Sequence, residues 1–244
     1  MCVKDVKLIK VGTLTIEAFE RPDSNLVAMK YFCGMGGGST ITYIETEDRK
    51  IIVDTGFEYE TDISEGNKER NQKILVEAMG NFGLSPDDID CVFITHWHRD
   101  HFGNIGVFKD AEIIVLKSLA DHFGLDFTGV SDDESIAEGV NVLATPGHTE
   151  HHVSVVLQTE RLVYKESFEL RGRISGIGSP RIVVAGDAIV SYAYFIQNKV
   201  WDYNSDFFST EKARESIKKI SAVADFIIPG HGGLFRNVRK KMEL

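Results

Sequence analysis

The chain has 244 residues, of which 43% are hydrophobic and 26% charged, and a formal net charge of −10. These proportions are ordinary for a globular protein with a sizeable core and predict one domain over 1–244. The acidic balance argues against RNA or DNA as the main partner, since such binding leans on clustered Lys and Arg; the basic stretch Arg236-Asn237-Val238-Arg239-Lys240-Lys241 is short and reads as a solvated end.

Residues 4–16 alternate enough to predict an opening strand or hairpin. Gly34-Met35-Gly36-Gly37-Gly38 reads as a mobile loop beside a cleft. It is not a phosphate loop, because Lys-Ser/Thr is missing and no helix follows. Residues 39–45 and 50–53 read as a hairpin around 46–49 that ends in Asp54-Thr55-Gly56. Asp54 is either a turn residue or a support for a metal ligand. Residues 67–82 have helical spacing, with Ile74, Leu75, Ala78 and Met79 on the buried face and Gly83 as the stop. Ser85 caps a short helical turn that Pro86 opens. Cys91-Val92-Phe93-Ile94 reads as a buried strand, 111–116 as a strand and 117–123 as a short helix. Residues 126–138 are polar and acidic and predict a surface loop. Strands follow at 140–144 and 153–158. Residues 161–180 carry Gly172, Gly176 and Gly178 and read as a long hairpin or a pocket-shaping insertion. An amphipathic helix over 209–223 is capped by Ser209 or Thr210. No repeat, low-complexity tract or linker interrupts this order.

Cys2, Cys33 and Cys91 are few, odd in number and scattered, which excludes a disulfide framework and fits a reducing interior. Cys91 reads as a small buried hydrophobe. There is no signal-peptide pattern and no run of eighteen apolar residues, so a cytoplasmic protein without a membrane span is expected.

The chemistry concentrates after the Cys91–Ile94 strand, in Thr95-His96-Trp97-His98-Arg99-Asp100-His101. In an extended segment, side chains two apart point the same way, so His96 and His98 can reach one metal ion. Asp100 and His101 fall on the next turn and can face a second position. Three further apolar strands end in a Gly turn and then a metal-capable side chain: Pro146-Gly147-His148, Gly186-Asp187 and Pro229-Gly230-His231. Gly permits the sharp backbone turn that aims such a side chain into a shared cleft. Together the four strand ends offer five His and two Asp, room for two metals, and Asp187 as the natural carboxylate bridge. Imidazole and carboxylate suit zinc and neighbouring transition metals. A lone His or Gly-Asp is usually structural; the dense first cluster and the three similar ones set this pattern apart.

In these motifs the chain resembles the metallo-β-lactamase superfamily, from the Gly38–Gly56 region to Gly233. The resemblance implies an α/β fold, a four-layer αββα sandwich of two mixed sheets, with a two-metal hydrolytic site at one edge. By that pattern His96, His98 and His148 hold the first metal, Asp100, His101 and His231 the second, and Asp187 bridges. The bridging Asp187 differs from true β-lactamases of the superfamily, and His98 differs from flavodiiron proteins, which carry Glu there. About a dozen residues follow His231, too few for the helical extension of glyoxalase II. The arms of the tRNA-processing branch are absent from the sequence. Lactonases that open acyl-homoserine lactones resemble this ligand set well, but their substrate-facing Tyr stands at another spacing than Tyr192 and Tyr194.

The function expected from this is a metal-dependent hydrolase with two divalent ions, zinc first and manganese or iron as alternatives. Metals about 3.5–4 Å apart lower the pKa of a shared water. Its hydroxide would open an ester, lactone or thioester bond in a small-molecule substrate. Asp100 and Asp187 would hold metal and orient or shuttle the proton, and Tyr192 or Tyr194 would donate to the oxyanion. The alternatives are a mononuclear-iron oxidoreductase resembling persulfide dioxygenase, a phosphodiesterase or nuclease of the same fold, and a non-enzymatic metal-binding module. A homo-oligomer is compatible with the sequence. His152 reads as support for the ligands, His151 as a cleft-edge residue and His122 as a surface residue. Trp97 is expected to pack, and Arg99 to pair with an acid or substrate. Phe57, Tyr59, Tyr192, Tyr194, Phe195 and Trp201 read as core or as pocket lining.

Overall fold

The computed structural model describes residues 3–14, 38–57, 65–159, 161–164, 169–171 and 180–240. Its central strands carry apolar side chains on both faces, and that dictates the layering. In β3 (Lys50–Val53) Ile51 and Val53 face one side and Ile52 the other; in β4 (Cys91–Phe93) Cys91 and Phe93 oppose Val92. A strand apolar on both faces must be covered on both.

Among the described residues the first sheet has eight strands and the second six. Besides β3 and β4 the first holds β1 (Asp5–Lys10), β2 (Ile41–Glu45), β5 (Glu112–Leu116), β6 (Thr128–Val130), β10 (Arg161–Tyr164) and β11 (Glu169–Arg171), in the order β11-β10-β1-β2-β3-β4-β5-β6. The second holds β7 (Ser135–Ala137), β8 (Val140–Ala144), β9 (Val153–Gln158), β12 (Arg181–Gly186), β13 (Phe226–Pro229) and β14 (Phe235–Arg236), in the order β14-β13-β12-β9-β8-β7. The inward faces meet in one core, where Ile44, Val53 and Phe93 of the first sheet join Val142, Val155 and Val184 of the second.

Helices cover the outer faces. α1 (Glu65–Gly80) and α3 (Lys117–Phe123) lay Leu75, Met79 and Leu119 on Tyr43, Ile52 and Val92. α4 (Tyr192–Ile196) and α5 (Thr210–Val223) lay Phe195, Ile217 and Ile220 on Val183, Ala185 and Ile227. The result is the expected αββα sandwich. The pairs β3–β4, β5–β6 and β12–β13 are parallel, and helices supply their crossovers. β8 is antiparallel to β9, and β9 to β12, so β8, β12 and β13 run the same way.

Several elements differ from the sequence expectation. Residues 126–138 include β6 and β7, because Val130, Ile136 and Ala137 are buried in the core within an otherwise acidic stretch. Within the described part of the opening segment, up to residue 14, Asp5–Lys10 forms a strand; residues 15 and 16 lie outside the described ones. Residues 161–180, by contrast, contribute the antiparallel pair β10–β11, in line with the hairpin reading, while Gly172, Gly176 and Gly178 lie outside the described residues. The basic stretch is docked rather than free: Arg239 bonds the Phe195 carbonyl, and Lys240 donates to the Val223 carbonyl and pairs with Asp225. A cation on the last carbonyls of α5 suits that helix end. Cys91 is buried, as expected. Cys2, Cys33, Gly34–Gly37 and Tyr59 lie outside the described residues. No helix among those described is long and apolar enough to cross a membrane.

Candidate metal centre

The ends of β4, β8, β12 and β13 deliver the candidate ligands, and the turns after three of them use glycine where another residue would not fit. Gly147 (φ +143°) has no room for a Cβ, which would lie 2.3 Å from the Ala213 backbone; Gly186 (φ +51°) would drive one into Thr95. At Gly230 a Cβ would sit 1.8 Å from Asp187 Oδ1. Here glycine keeps open the space in front of the carboxylate.

All seven candidates come together, in two groups. His96, His98, His148 and Asp187 form one, and Asp100, His101 and His231 the other. His98 Nδ1 lies 2.9 Å from His96 Nε2 and 3.1 Å from His148 Nε2, and His148 Nε2 lies 3.4 Å from Asp187 Oδ2. In the second group His231 Nε2 is 3.2 Å and His101 Nε2 3.8 Å from Asp100 Oδ2. Asp187 Oδ1 lies 3.4 Å from His101 Nε2 and 3.5 Å from His231 Nε2. Each oxygen of Asp187 therefore faces one group. Ligands about 2.0–2.1 Å from a tetrahedral ion stand about 3.4 Å apart, which matches these separations. His101 Nε2, His231 Nε2 and Asp187 Oδ1 are also buried without a hydrogen bond of proper geometry. Buried polar atoms are rarely left so, and divalent ions would satisfy all three.

The outward nitrogens of His96, His98, His101 and His231 are fixed by partners, which sets their tautomers. Asp54 Oδ2 accepts from His101 Nδ1 at 2.7 Å. The same Asp54 accepts from the Thr95 amide and hydroxyl, both at 2.9 Å, leaving Thr95 Oγ1 to accept from His96 Nδ1 at 3.1 Å. Asp54 thus holds one imidazole in each group. The Thr13 carbonyl accepts from His231 Nδ1 at 3.0 Å. Asp206, 3.0 Å from His98 Nε2, turns the Nδ1 lone pair of His98 inward. Such outer partners orient ligands and raise their basicity.

Asp206 was missed in the sequence, because Trp201–Phe208 has no periodicity and reads only as a loop. His152 supports the site through a directed chain. The Ala188 amide donates to its Nε2 (3.2 Å), its Nδ1 donates to Thr145 Oγ1 (2.9 Å), and that hydroxyl reaches Ser154 (2.8 Å), which donates to the Ala185 carbonyl (3.0 Å). This ties β8, β9 and the Asp187 turn together.

Charge in the cluster is polarised. Burial and then the surrounding imidazoles hold His96 well below its usual value, hence neutral. For His101 burial opposes the charge, but Asp54, Asp187 and Asp100 outweigh it and raise the value well above normal. His231 is likewise raised to about 9, with Asp187 and Asp100 overcoming burial. Burial works against the Asp187 carboxylate too, yet His231, His101 and His148 keep it well below the usual range.

The remaining residues fall around this centre. Trp97 packs, stacked on Phe102 at 4.0 Å. Arg99 lies over the Phe57 ring. Phe57, Phe195 and Trp201 are buried core side chains. The ring of Tyr192 packs on Phe235, and that of Tyr194 on Trp201. His151 meets Ser118 and the ring of the exposed His122.

A sequence model of the metallo-β-lactamase superfamily matches residues 34–118. Metallo-beta-lactamase domain-containing protein 1 of Mus musculus is 30% identical over 212 residues, spanning 85% of this chain and 68% of that protein. The chain belongs to the metallo-β-lactamase superfamily. An N-acyl homoserine lactonase from Bacillus sp is 29% identical over 143 residues, 48% of this chain and 57% of the lactonase. Two solved structures share the fold. One is a Thermotoga maritima protein described as a metallo-β-lactamase (TM-score 0.60, 21% identity, 97% and 100% of the chains). The other is an N-acyl homoserine lactone hydrolase with N-hexanoyl-L-homoserine at its catalytic metal centre (TM-score 0.59, 20% identity, 90% and 88%). The expected enzyme class, a metallo-hydrolase, is that of the superfamily and of these lactonases.

Proposed function

We propose that the protein is a dinuclear metal-dependent hydrolase that opens an ester, lactone or thioester bond in a small molecule. The observation that carries this is the placement of the two Asp187 oxygens, one toward each group of ligands. His96, His98 and His148 would hold one ion, Asp100, His101 and His231 the other, and Asp187 both. Bound divalent ions would supply an acidified water and polarise the substrate oxygen.

The protein's own part is to keep the ligands in place and take up the proton. Asp54, Asp206 and the Thr13 carbonyl lock the imidazoles in the tautomers that turn lone pairs inward. Asp100, partly open to solvent beside His231, is the carboxylate placed to receive and release the proton. The hydroxyls of Tyr192 and Tyr194 remain candidates for the oxyanion donor, and Tyr→Phe at each position reads that role as a loss of kcat. The lactonase likeness supports a carbonyl substrate, and zinc is the ion that this donor set suits first.

Elemental mass spectrometry on protein purified without added metal tests the reading, followed by lactone, ester, thioester and phosphodiester substrates. Near two zinc, manganese or iron ions per chain with carbonyl-ester turnover is expected. Asp187→Ala should lose the second ion and most turnover; full activity with both ions retained would sink the proposal. One iron per chain with oxygen uptake would favour the dioxygenase alternative.

A further inference from the structure

A cavity of about 240 Å³ lies beside the centre, with a wall of Trp97, Phe123, Phe207 and Phe208. It is framed by the same backbone as the ligands. Trp97 stands between His96 and His98, Thr149 follows His148, and Asp206, on the cavity wall, holds His98. Phe123 and Phe208 are 49% and 45% exposed, a large share for such rings beside a cleft. Trp97 is fixed by its stack on Phe102, the two rings only 9° from parallel, and Phe123 lies tilted against it at 6.3 Å.

Two residues of the lining, Thr149 and His151, carry polar atoms that are buried without a partner. Thr149 is 8% exposed, and its Oγ1 makes no hydrogen bond. His151 Nε2 is also buried without a partner, while its Nδ1 is held 3.1 Å from Ser118 Oγ. Burying a hydroxyl and an imidazole nitrogen unpaired is unfavourable. An aliphatic occupant would leave them so, whereas one with a polar edge offers both a partner once their side chains turn toward it. An engineered cavity of about 150 Å³ holds benzene, so this larger one admits a substituted ring.

We infer that this cavity is a specificity pocket for a flat aromatic ring with a hydrogen-bonding edge, the ring lying among Trp97, Phe123, Phe207 and Phe208 and the edge meeting Thr149 and His151. Aromatic faces and edges favour a ring partner over a saturated one of equal size through their quadrupoles. That the occupant is part of a substrate rests on the hydrolase reading; the ring preference does not.

The test is probe binding to the metal-loaded protein, followed by quenching of Trp97 fluorescence, with Trp97→Phe identifying the signal. Benzamide should bind saturably, and cyclohexanecarboxamide, with the same amide and no aromatic face, about ten-fold more weakly. Thr149→Val should weaken benzamide about five- to thirty-fold, and Thr149→Ser should restore most of it. Phe208→Ala, at an exposed position that tolerates truncation, should weaken it as well. Equal binding of the two probes, no binding of either, or a benzamide affinity indifferent to both Thr149→Val and Phe208→Ala would overturn the assignment. The kcat/KM ratio of phenylacetyl over cyclohexylacetyl esters then reads the substrate role. Ring binding as described with no turnover of any ester, lactone or thioester leaves the pocket standing and the hydrolase reading refuted. Turnover without ring preference refutes the pocket alone.

Discussion

Asp54 holds φ at +58°, a region that few residues other than glycine occupy. The conformation lets one carboxylate serve the Thr95 amide, the Thr95 hydroxyl and His101 at once. Asp54→Ala removes the outer partner of an imidazole in each ligand group. Metal affinity should fall about 10–100-fold, measured by competition with a chromophoric chelator, while Asp48→Ala on the surface serves as the control. His231 carries a pH signature in the metal-free protein. Its value is raised to about 9 from 6.5, so folding favours its protonated form. That stabilisation is fully present below pH 6.5 and is lost as the pH rises through about 9. Metal needs the neutral ring, so metal affinity should climb over the same interval. Denaturation midpoints of the apo protein and metal titrations at pH 6, 8 and 10 check both slopes; an apo midpoint that rises over this range counts against the His231 assignment.

Among the elements, α5 sets the height of the His148 turn. Gly147 lies against the Ala213 backbone, and the Phe208 and Ser209 amides donate to the Gly147 carbonyl at 3.2 and 3.1 Å. Ser209 also caps α5 through the Lys212 amide at 3.3 Å. Gly147→Ala places a methyl where backbone already stands and at a φ of +143°. It should destabilise by at least about 1–3 kcal/mol and displace His148, which denaturant melts and metal stoichiometry would report together. Ser209→Ala, which only removes the cap, should cost about 1 kcal/mol and leave metal stoichiometry intact. The elements most open to sequence reading were those with one strong pattern. α3 was expected over 117–123 and lies at Lys117–Phe123, because its apolar spacing is regular and Gly124 takes the left-handed cap. β6 and β7 were not anticipated, because three buried residues carry them within an acidic stretch. The four-residue α2 (Arg99–Phe102) is too short for any periodicity, yet it positions Asp100 and His101.

At the scale of the molecule, both sheets contribute ligands to each group: the segment after β4 of the first sheet and the ends of β8, β12 and β13 of the second. Metal bound at their common edge links the sheets and stabilises the folded state by mass action, by about 4 kcal/mol at a thousand-fold excess over Kd. Removal of metal by a chelator should therefore lower Tm by several degrees and restore it on adding zinc; an unchanged Tm would mean that no ion spans the sheets. The sequence by itself determined which side chains could form such a centre, because His and Asp placed after Gly at strand ends are sparse and locally distinctive. It also determined the two-faced apolar strands, and so the need for layers on both sides of each sheet. Only the tertiary structure decided which nitrogen of His101, His231 and His98 turns inward, since Asp54, the Thr13 carbonyl and Asp206 lie 47, 218 and 108 residues from the rings they hold. The aromatic pocket was decided there too. Trp97, Phe123, Thr149 and Phe208 come from four separate segments, and no local pattern records that packing brings them to one wall.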